Sequence, residues 1–574
     1  MKTKLLIILG IIVCIVVAAG AYLHVTSVMN SLYVYRSPLH NDPPAAGLAL
    51  GHPLTHRVVF VLIDALRDDT SHNSKVMPFL NELRGQGAWA TVHSRMPSYS
   101  DPGWTTLMTG AWPDISDGPA MNTDYENTPT WTQDNIFSAA HRAGLKTAFS
   151  GYYWWEKLVP HEAVDTYFPT AGEDQTADRE VVDASLPWIK SDEYQFILIH
   201  IDQVDYAGHH EGGPQSPNWD AAATRSDALL KEIVSKMDLI KDTVIVVSDH
   251  GQIDQGGHGG PEKVNLVEPF VMVGAGVKPG TYDDIQQVDV APTISALLGL
   301  NIPASAQGVV LTDMLTLGSG QVASIEGALL TQKMQLETKY LKAIGVTGEI
   351  KPANSVPEIL AAMDDARANR LRSERLPRIG WMLLLALVPA IILVLKRNRT
   401  IAWLAIGAVI YIVVFNIRYL LLAHKTYSLS SVASANDLIL TGGLTAALAF
   451  LIAWLVTIFG LRSFKDSATR AVGQTLGLIF FTLYLLAIPV RWSFAMNGGS
   501  SSWTLPETTS RFLEVLFTLQ GMVVAVLGLL LTVVTALIAG MQQRKNRQPE
   551  STAQEMPQEA VEVEAASEPA PEEK

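Results

Sequence analysis

Four short segments hold the residue types that metal-assisted or nucleophilic chemistry needs. The β-branched run Val244–Val247 ends in Ser248-Asp249-His250-Gly251, with His258 across a glycine-rich loop. Ligands of doubly wound sheets collect beyond the carboxyl ends of the strands, so an Asp-His pair there, with a second His in reach, suggests metal ligation. A polar turn with a capping Asp is the plainer alternative. The hydrophobic run Arg57–Ala65 ends in Asp64, and the run Phe196–Ile201 delivers Asp205-Tyr206-Ala207-Gly208-His209 into a turn, a carboxylate and an imidazole four residues apart. In Pro97–Gly110, Pro102 reads as a first-turn helix proline, which places Ser100 at a helix entrance where backbone N–H groups favour an anion. The alternative for Ser100 is a simple N-cap.

The elements that position these residues alternate strand and helix. Asp134–Lys146 reads as an amphipathic helix leading into the strand Thr147–Ser150, and an aromatic loop, Gly151-Tyr152-Tyr153-Trp154-Trp155, follows. Tyr153 and Trp154 are candidates to line a substrate site, set against the commoner core role of aromatics. The pattern is α/β with a mostly parallel sheet.

A chain of 574 residues exceeds one ordinary domain, and a mean hydropathy of +0.19 with 17% charged residues points to a membrane protein with a soluble part. The single cysteine, Cys14, excludes an intramolecular disulfide and a thiolate metal cluster, so a metal must be held by His and carboxylate. The net charge of −14 argues against nucleic-acid polymers, and half of it lies in the tail: Glu550–Lys574 holds eight Glu and one Lys among Pro, Ala and Ser. That composition predicts disorder over 542–574.

An apolar run from Leu5 to about Tyr22 reads as an uncleaved anchor over 1–25 in preference to a signal peptide. Five further apolar segments fall at about Ile379–Leu395, Ile401–Leu422, Leu438–Leu461, Ala471–Val490 and Phe512–Ala539, within a membrane region spanning 379–541. Lys396–Arg399, Arg462–Arg470 and Arg544–Arg547 share one side with Lys2 and Lys4, whereas Ser428–Asp437 and Asn497–Thr509 are nearly free of basic residues. By the positive-inside rule both termini are cytoplasmic and residues from about 25 to 378 are extracytoplasmic. Arg370, Arg372, Arg375 and Arg378 interrupt this pattern and are read as lying against lipid headgroups. Residues 45–315 form the soluble domain, and 316–378, with a helical stretch Gln321–Leu341, a stalk.

Over about Val58–Leu311 the chain resembles the alkaline phosphatase superfamily, in its type I phosphodiesterase/nucleotide pyrophosphatase branch. The segment S-x-P-G-W-T-T-L-x-T-G looks like that family's nucleophile segment, D-x-x-G-H and S-D-H-G…G-H-G-G like its metal segments, and Val273–Lys278 with Val288–Thr293 like its later landmarks. The resemblance implies an alkaline-phosphatase-like sandwich. It implies Ser100 as nucleophile, with Asp64, Asp249, His250 and Ser100 on one divalent ion and Asp205, His209 and His258 on another. Donors without a thiolate favour Zn2+, with Mn2+ as the alternative. Where nucleotide pyrophosphatases have an Asn, Gly103 stands here, which puts stabilisation of the phosphoryl oxygens by that side chain in question.

Anchor, exported domain and membrane helices in this order are similar to the glycosylphosphatidylinositol ethanolamine-phosphate transferases, which implies a phospholipid or lipid-linked glycan as substrate at the bilayer. The expected activity is a two-metal phosphodiesterase or phosphotransferase with a phospho-serine intermediate. A nucleotide pyrophosphatase, a transporter and a catalytically dead binding module are the alternatives. A sulfatase is disfavoured because neither C-x-P-x-R nor S-x-P-x-R is present. In the membrane region, Arg418 and Arg491 fall near the outer face and are candidates to hold a lipid phosphate, against a snorkelling role.

Overall fold

The computed structural model describes residues 2–347, 354–396, 398–432, 434–499 and 502–545. Of the acidic tail, 546–574 lie outside these residues, as do Arg397 and residues 348–353 of the stalk.

Among the described residues nine strands form one sheet: β1 (Arg57–Ile63), β2 (Ala88–His93), β3 (Thr147–Tyr152), β4 (Thr166–Thr170), β5 (Phe196–Ile201), β6 (Asp242–Val247), β7 (Val267–Gly274), β8 (Gly280–Thr281) and β9 (Ile285–Gln286). Their order is β4-β3-β5-β1-β6-β7-β2-β8, with β9 also on β2. Pairing is parallel from β4 through β6, and β7 runs antiparallel to both β6 and β2. The expected α/β class with a mostly parallel sheet is thus observed. Alternate residues of β1 enter different cores, Val58, Phe60 and Leu62 on one face and Val59, Val61 and Ile63 on the other. A strand covered on both faces needs an unbroken apolar run, as β1 has. The carboxyl ends of the central neighbours β5, β1 and β6 therefore open at one edge, each followed by polar sequence.

The helices that matter for the site are α1 (Lys2–Tyr33), α2 (Ser100–Thr109), α3 (Gln203–His210), α4 (Ser319–Ala343), α5 (Val356–Leu395), α6 (Arg399–Asn416), α7 (Gly443–Leu461), α8 (Ala468–Asn497) and α9 (Thr508–Lys545). Six segments of the described chain are long and apolar enough to cross a membrane: α1, α5, α6 with its continuation to Leu422, α7 with its approach from Leu438, α8 and α9. The bundle core packs α1 and α8 along α9, and Cys14 of α1 is buried there.

Three local readings change. Asp205 and His209 lie on helix α3 and not in a turn, because the Asp178 carboxylate accepts from the N–H groups of Asp202 (2.8 Å) and Gln203 (3.1 Å) and so satisfies its first donors. The spacing of four still puts both on one helical face. β3 extends to Tyr152, two residues into the stretch read as a loop. No break separates stalk from span at 378, since α5 is continuous over 40 residues with Pro377 and Pro389 inside it.

Candidate active site

Ser100 is the first residue of α2, behind Tyr99 at the N-cap. Its hydroxyl points at His250, with Oγ 3.3 Å from Nε2. Gly103, one turn later, lies against the end of β6, where an added Cβ would stand 3.0 Å from the Asp249 Cβ and 3.2 Å from its carbonyl oxygen. This glycine allows α2 to approach the strand end closely.

Asp64, at the end of β1, has unequal oxygens. Oδ2 accepts from Trp104 Nε1 at 3.0 Å and from His200 Nε2 at 2.9 Å, whereas Oδ1 is buried with no partner. Asp249 is similar: Oδ1 accepts the Ala65 N–H at 3.2 Å and Oδ2 is buried and unpartnered. His250 Nε2 lies 3.5 Å from Asp64 Oδ1 and 3.5 Å from Asp249 Oδ2. Its Nδ1 faces the Gly251 carbonyl at 3.1 Å, an oxygen that can only accept, so Nδ1 carries the proton and Nε2 offers a lone pair to the site. The Ser98 carbonyl fixes His258 in the same tautomer through Nδ1 at 3.0 Å.

The second group adjoins the first. His258 Nε2 stands 3.6 Å from Asp205 Oδ1 and 2.9 Å from His209 Nε2, and His209 Nε2 is 3.5 Å from Asp205 Oδ2. The His250 and His258 rings stack with centroids 4.0 Å apart, so His250 also borders the Asp205 group. The structure thus gathers Asp64, Ser100, Asp205, His209, Asp249, His250 and His258 at one sheet edge.

Electrostatics show what this cluster needs. Burial, then the Asp249, Asp202 and Asp205 carboxylates, push Asp64 well above the usual carboxylate range. Burial carries His200 down to about 3, leaving a neutral ring. Crowded carboxylates, lone-pair nitrogens and two orphaned buried oxygens, without a thiolate, are a donor set that fits divalent cations.

Several contributors carried no signal in the sequence. His200, inside the apolar run of β5, accepts the Tyr152 N–H on Nδ1 at 3.3 Å, so Nε2 bears the proton and orients Asp64. Trp104, the second donor to Asp64, stacks on Trp155 with centroids 4.7 Å apart. Trp154 packs against Trp104 and Tyr152, and Tyr153 stacks on Tyr125 at 4.6 Å. The aromatic cluster therefore braces Trp104. Asn122 presents Nδ2 at 3.5 Å from Ser100 Oγ, so a side-chain amide that Gly103 cannot supply comes from another loop. Gln252 donates to Asp205 Oδ1 at 2.5 Å.

A cavity of about 340 Å3 opens beside His209, His258 and Asn122. Its far walls come from the membrane helices: Met29 and Leu32 of α1, Phe512 and Val515 of α9, and Leu438 at the approach to α7. Arg511 also lines it. This guanidinium, 1% exposed, donates to Glu514 at 2.7 Å and to the Gly499 carbonyl at 2.5 Å, while its Nε has no partner. Arg418 and Arg491 line no part of this cavity: Arg418 donates to Thr445, and Arg491 lies 5.4 Å from the Tyr484 ring centre. The 428–432 loop of the membrane region clasps the His258 loop directly, as Ser430 Oγ accepts from Gly260 N (2.9 Å) and Asn265 Nδ2 (2.8 Å) and donates to Glu262 (2.7 Å).

Residues 58–256 match the family described as type I phosphodiesterase/nucleotide pyrophosphatase, and the resemblance drawn from the motifs is borne out over that stretch. The catalytic subunit of GPI ethanolamine phosphate transferase 2 of Homo sapiens is 29% identical over 292 residues, covering 47% of this chain and 29% of that protein. The corresponding subunit of transferase 3 of Homo sapiens is 27% identical over 355 residues, covering 57% of this chain and 32% of that protein. The chain thus spans about a third of the length of these curated relatives. Among solved structures, murine ectonucleotide pyrophosphatase/phosphodiesterase 5 aligns with a TM-score of 0.37 at 15% identity, over 43% of this chain and 96% of that one.

Proposed function

We propose that this protein is a membrane-embedded phosphodiesterase or phosphoethanolamine-type transferase that moves a phosphoryl group from a lipid-linked phosphoester by way of Ser100. The observation that carries the reading is the shared cavity: the histidines of the site form one wall and apolar side chains of membrane helices form the others. A substrate with a polar phosphoester and a hydrocarbon anchor matches both. The named activity of the relatives supports the same reading.

Asp64, Asp249 and His250 would hold one divalent ion beside Ser100, and Asp205, His209 and His258 a second, with zinc preferred and manganese the alternative. Bound ions of this kind supply Lewis acidity that makes a serine hydroxyl nucleophilic and an alkoxide a tolerable leaving group. Ser100 Oγ attacks phosphorus, the bond to the leaving alcohol breaks, and a second attack by water or an alcohol releases the phosphoryl group from Ser100. Asn122 offers its amide N–H to a phosphoryl oxygen, and His200 with Trp104 keeps Asp64 oriented throughout. The placement of basic loops supports cytoplasmic termini, an uncleaved α1 and an extracytoplasmic catalytic domain.

The decisive experiment is mass spectrometry of products formed by purified protein in bilayers containing phosphatidylethanolamine and a glycolipid acceptor, beside hydrolysis of bis-p-nitrophenyl phosphate. Headgroup loss from the phospholipid that depends on Ser100 supports the assignment. Turnover of the soluble diester with no lipid product would overturn the lipid part.

A further inference from the structure

The catalytic domain and the membrane helices meet at a second place. Two adjoining cavities, of about 520 and 350 Å3, share Arg367, Leu371, Arg375 and Met496, and neither contains a residue of the cavity beside His209 and His258. One wall is a face of α5, on which Arg367, Leu371 and Arg375 recur every four residues and Arg372, Leu376 and Ile379 complete the surface. Met496 near the end of α8 stands opposite, and Arg95 with Trp112 of the catalytic domain closes the upper part.

Four guanidiniums, of Arg95, Arg367, Arg372 and Arg375, line this cleft with four carboxylates, of Asp114, Asp364, Glu374 and Glu507, but they are not all paired at contact distance. Glu374 is taken by Arg370 (3.2 Å) and Arg378 (3.0 Å), and Asp114 lies 3.7 Å from Arg367. Among the described residues, no carboxylate lies within 4.0 Å of Arg95, Arg372 or Arg375. Arg95 lies 4.2 Å from the Trp112 ring centre, Arg372 reaches Asn369 at 3.4 Å, and Arg375 donates Nε to the Met496 carbonyl at 2.9 Å. Burial pushes the Arg95 guanidinium down from its usual range. Below these cations the apolar stretch of α5 begins, and none of its membrane-length window is buried in the protein. Leu376, at the junction, is 62% exposed. The cleft therefore offers guanidinium forks above and a lipid-facing apolar wall below, at the membrane boundary on the catalytic domain's side.

We propose that this cleft binds one anionic glycerophospholipid, with its phosphate between Arg372, Arg375 and Arg95 and its acyl chains along Leu376 and Ile379 of α5. Forked N–H donors match phosphate oxygens, and a phosphate would occupy the forks of Arg95, Arg372 and Arg375, which no carboxylate of the cleft reaches at ion-pair distance. Arginines that merely snorkelled would extend into water; these line a walled cleft between three parts of the chain. The site is separate from the reacting centre and does not depend on the reading of Ser100.

The test is native mass spectrometry of the full-length protein released from bilayers of equimolar phosphatidylglycerol and phosphatidylcholine. Wild type is expected to retain one phosphatidylglycerol in preference to phosphatidylcholine, and R372Q/R375Q to lose that retention roughly 30-fold, the effect of two interfacial arginines. A thermal midpoint equal to that of wild type shows that the variant is folded; if it falls, R372K/R375K keeps the charge without the forks and is expected to retain an intermediate amount. Equal retention by wild type and R372Q/R375Q, or no preference between the two lipids, overturns the proposal. Displacement of the lipid by inorganic phosphate would overturn its lipid component, because contacts along α5 should favour the acylated ligand.

Discussion

Two clusters of buried charge in this molecule are built in opposite ways. At the ends of β5, β1 and β6, Asp64, Asp202, Asp205 and Asp249 crowd together with imidazoles, no Lys or Arg lies within 4.0 Å among the described residues, and two carboxylate oxygens have no partner. In the membrane region Glu514 receives Arg511 at 2.7 Å, Ser493 at 2.6 Å and His24 at 2.7 Å, so both of its oxygens are bonded. Among the described residues the first cluster has no Lys or Arg of its own to offset its carboxylates; the second carries its own cation. The unbalanced cluster is the one proposed to carry the chemistry, and the balanced one lies at the joint between α1, α8 and α9.

The contrast is sharpest at Ser100. Ser100→Ala is expected to lower turnover of bis-p-nitrophenyl phosphate by at least about 10⁴-fold, because the hydroxyl supplies the attacking atom. Elemental analysis should find the metal content nearly unchanged, and near-wild-type turnover would replace covalent catalysis by direct attack of water. Asp249→Asn should lose bound metal and about 10³-fold in turnover, in line with several kcal/mol of charge stabilisation. Chelation should lower the thermal midpoint of wild type, since metal at a hundredfold excess over Kd stabilises by about 2.7 kcal/mol, and should leave Asp249→Asn little changed. A variant that kept its metal and its activity would break the contrast.

Asn122→Ala tests a neutral contributor, with an expected loss of about 10²-fold in kcat, the effect of removing one donor to a developing oxyanion. An unchanged kcat would confine Asn122 to holding α2, where its Oδ1 accepts the Asp101 N–H at 3.1 Å. Glu514→Gln probes the other cluster. Removing one partner of a buried pair costs about 3–5 kcal/mol, so the thermal midpoint should fall while the folded fraction keeps its metal. Metal loss from folded Glu514→Gln would show that the two clusters are coupled.

Much of the site was legible because strand ends are legible. An apolar run that stops at Asp64, just before Ser248-Asp249, or at Ile201 a few residues short of Asp205 announces both the element and the edge where its polar residues emerge. His200 was passed over because it sits inside the run of β5, and only the register beside β1, which pairs Leu62 with His200, brings it to Asp64. Asn122 lies 22 residues beyond Ser100 in sequence without periodicity, and its approach is a tertiary event. Arg418 and Arg491 were chosen for their depth in the membrane, but depth leaves helical phase open. Phase turns Arg418 toward Thr445 and puts Arg511, at the start of α9, into the cavity wall instead.

The clasp between Ser430 and the His258 loop has a consequence for biogenesis. Gly260 leaves the ribosome 170 residues before its acceptor, Ser430, has been synthesised. A nascent chain can complete its sheet while the loop that carries His258 still lacks this anchor. The contact that holds this loop from the membrane side thus forms only once the segment after α6 has been made.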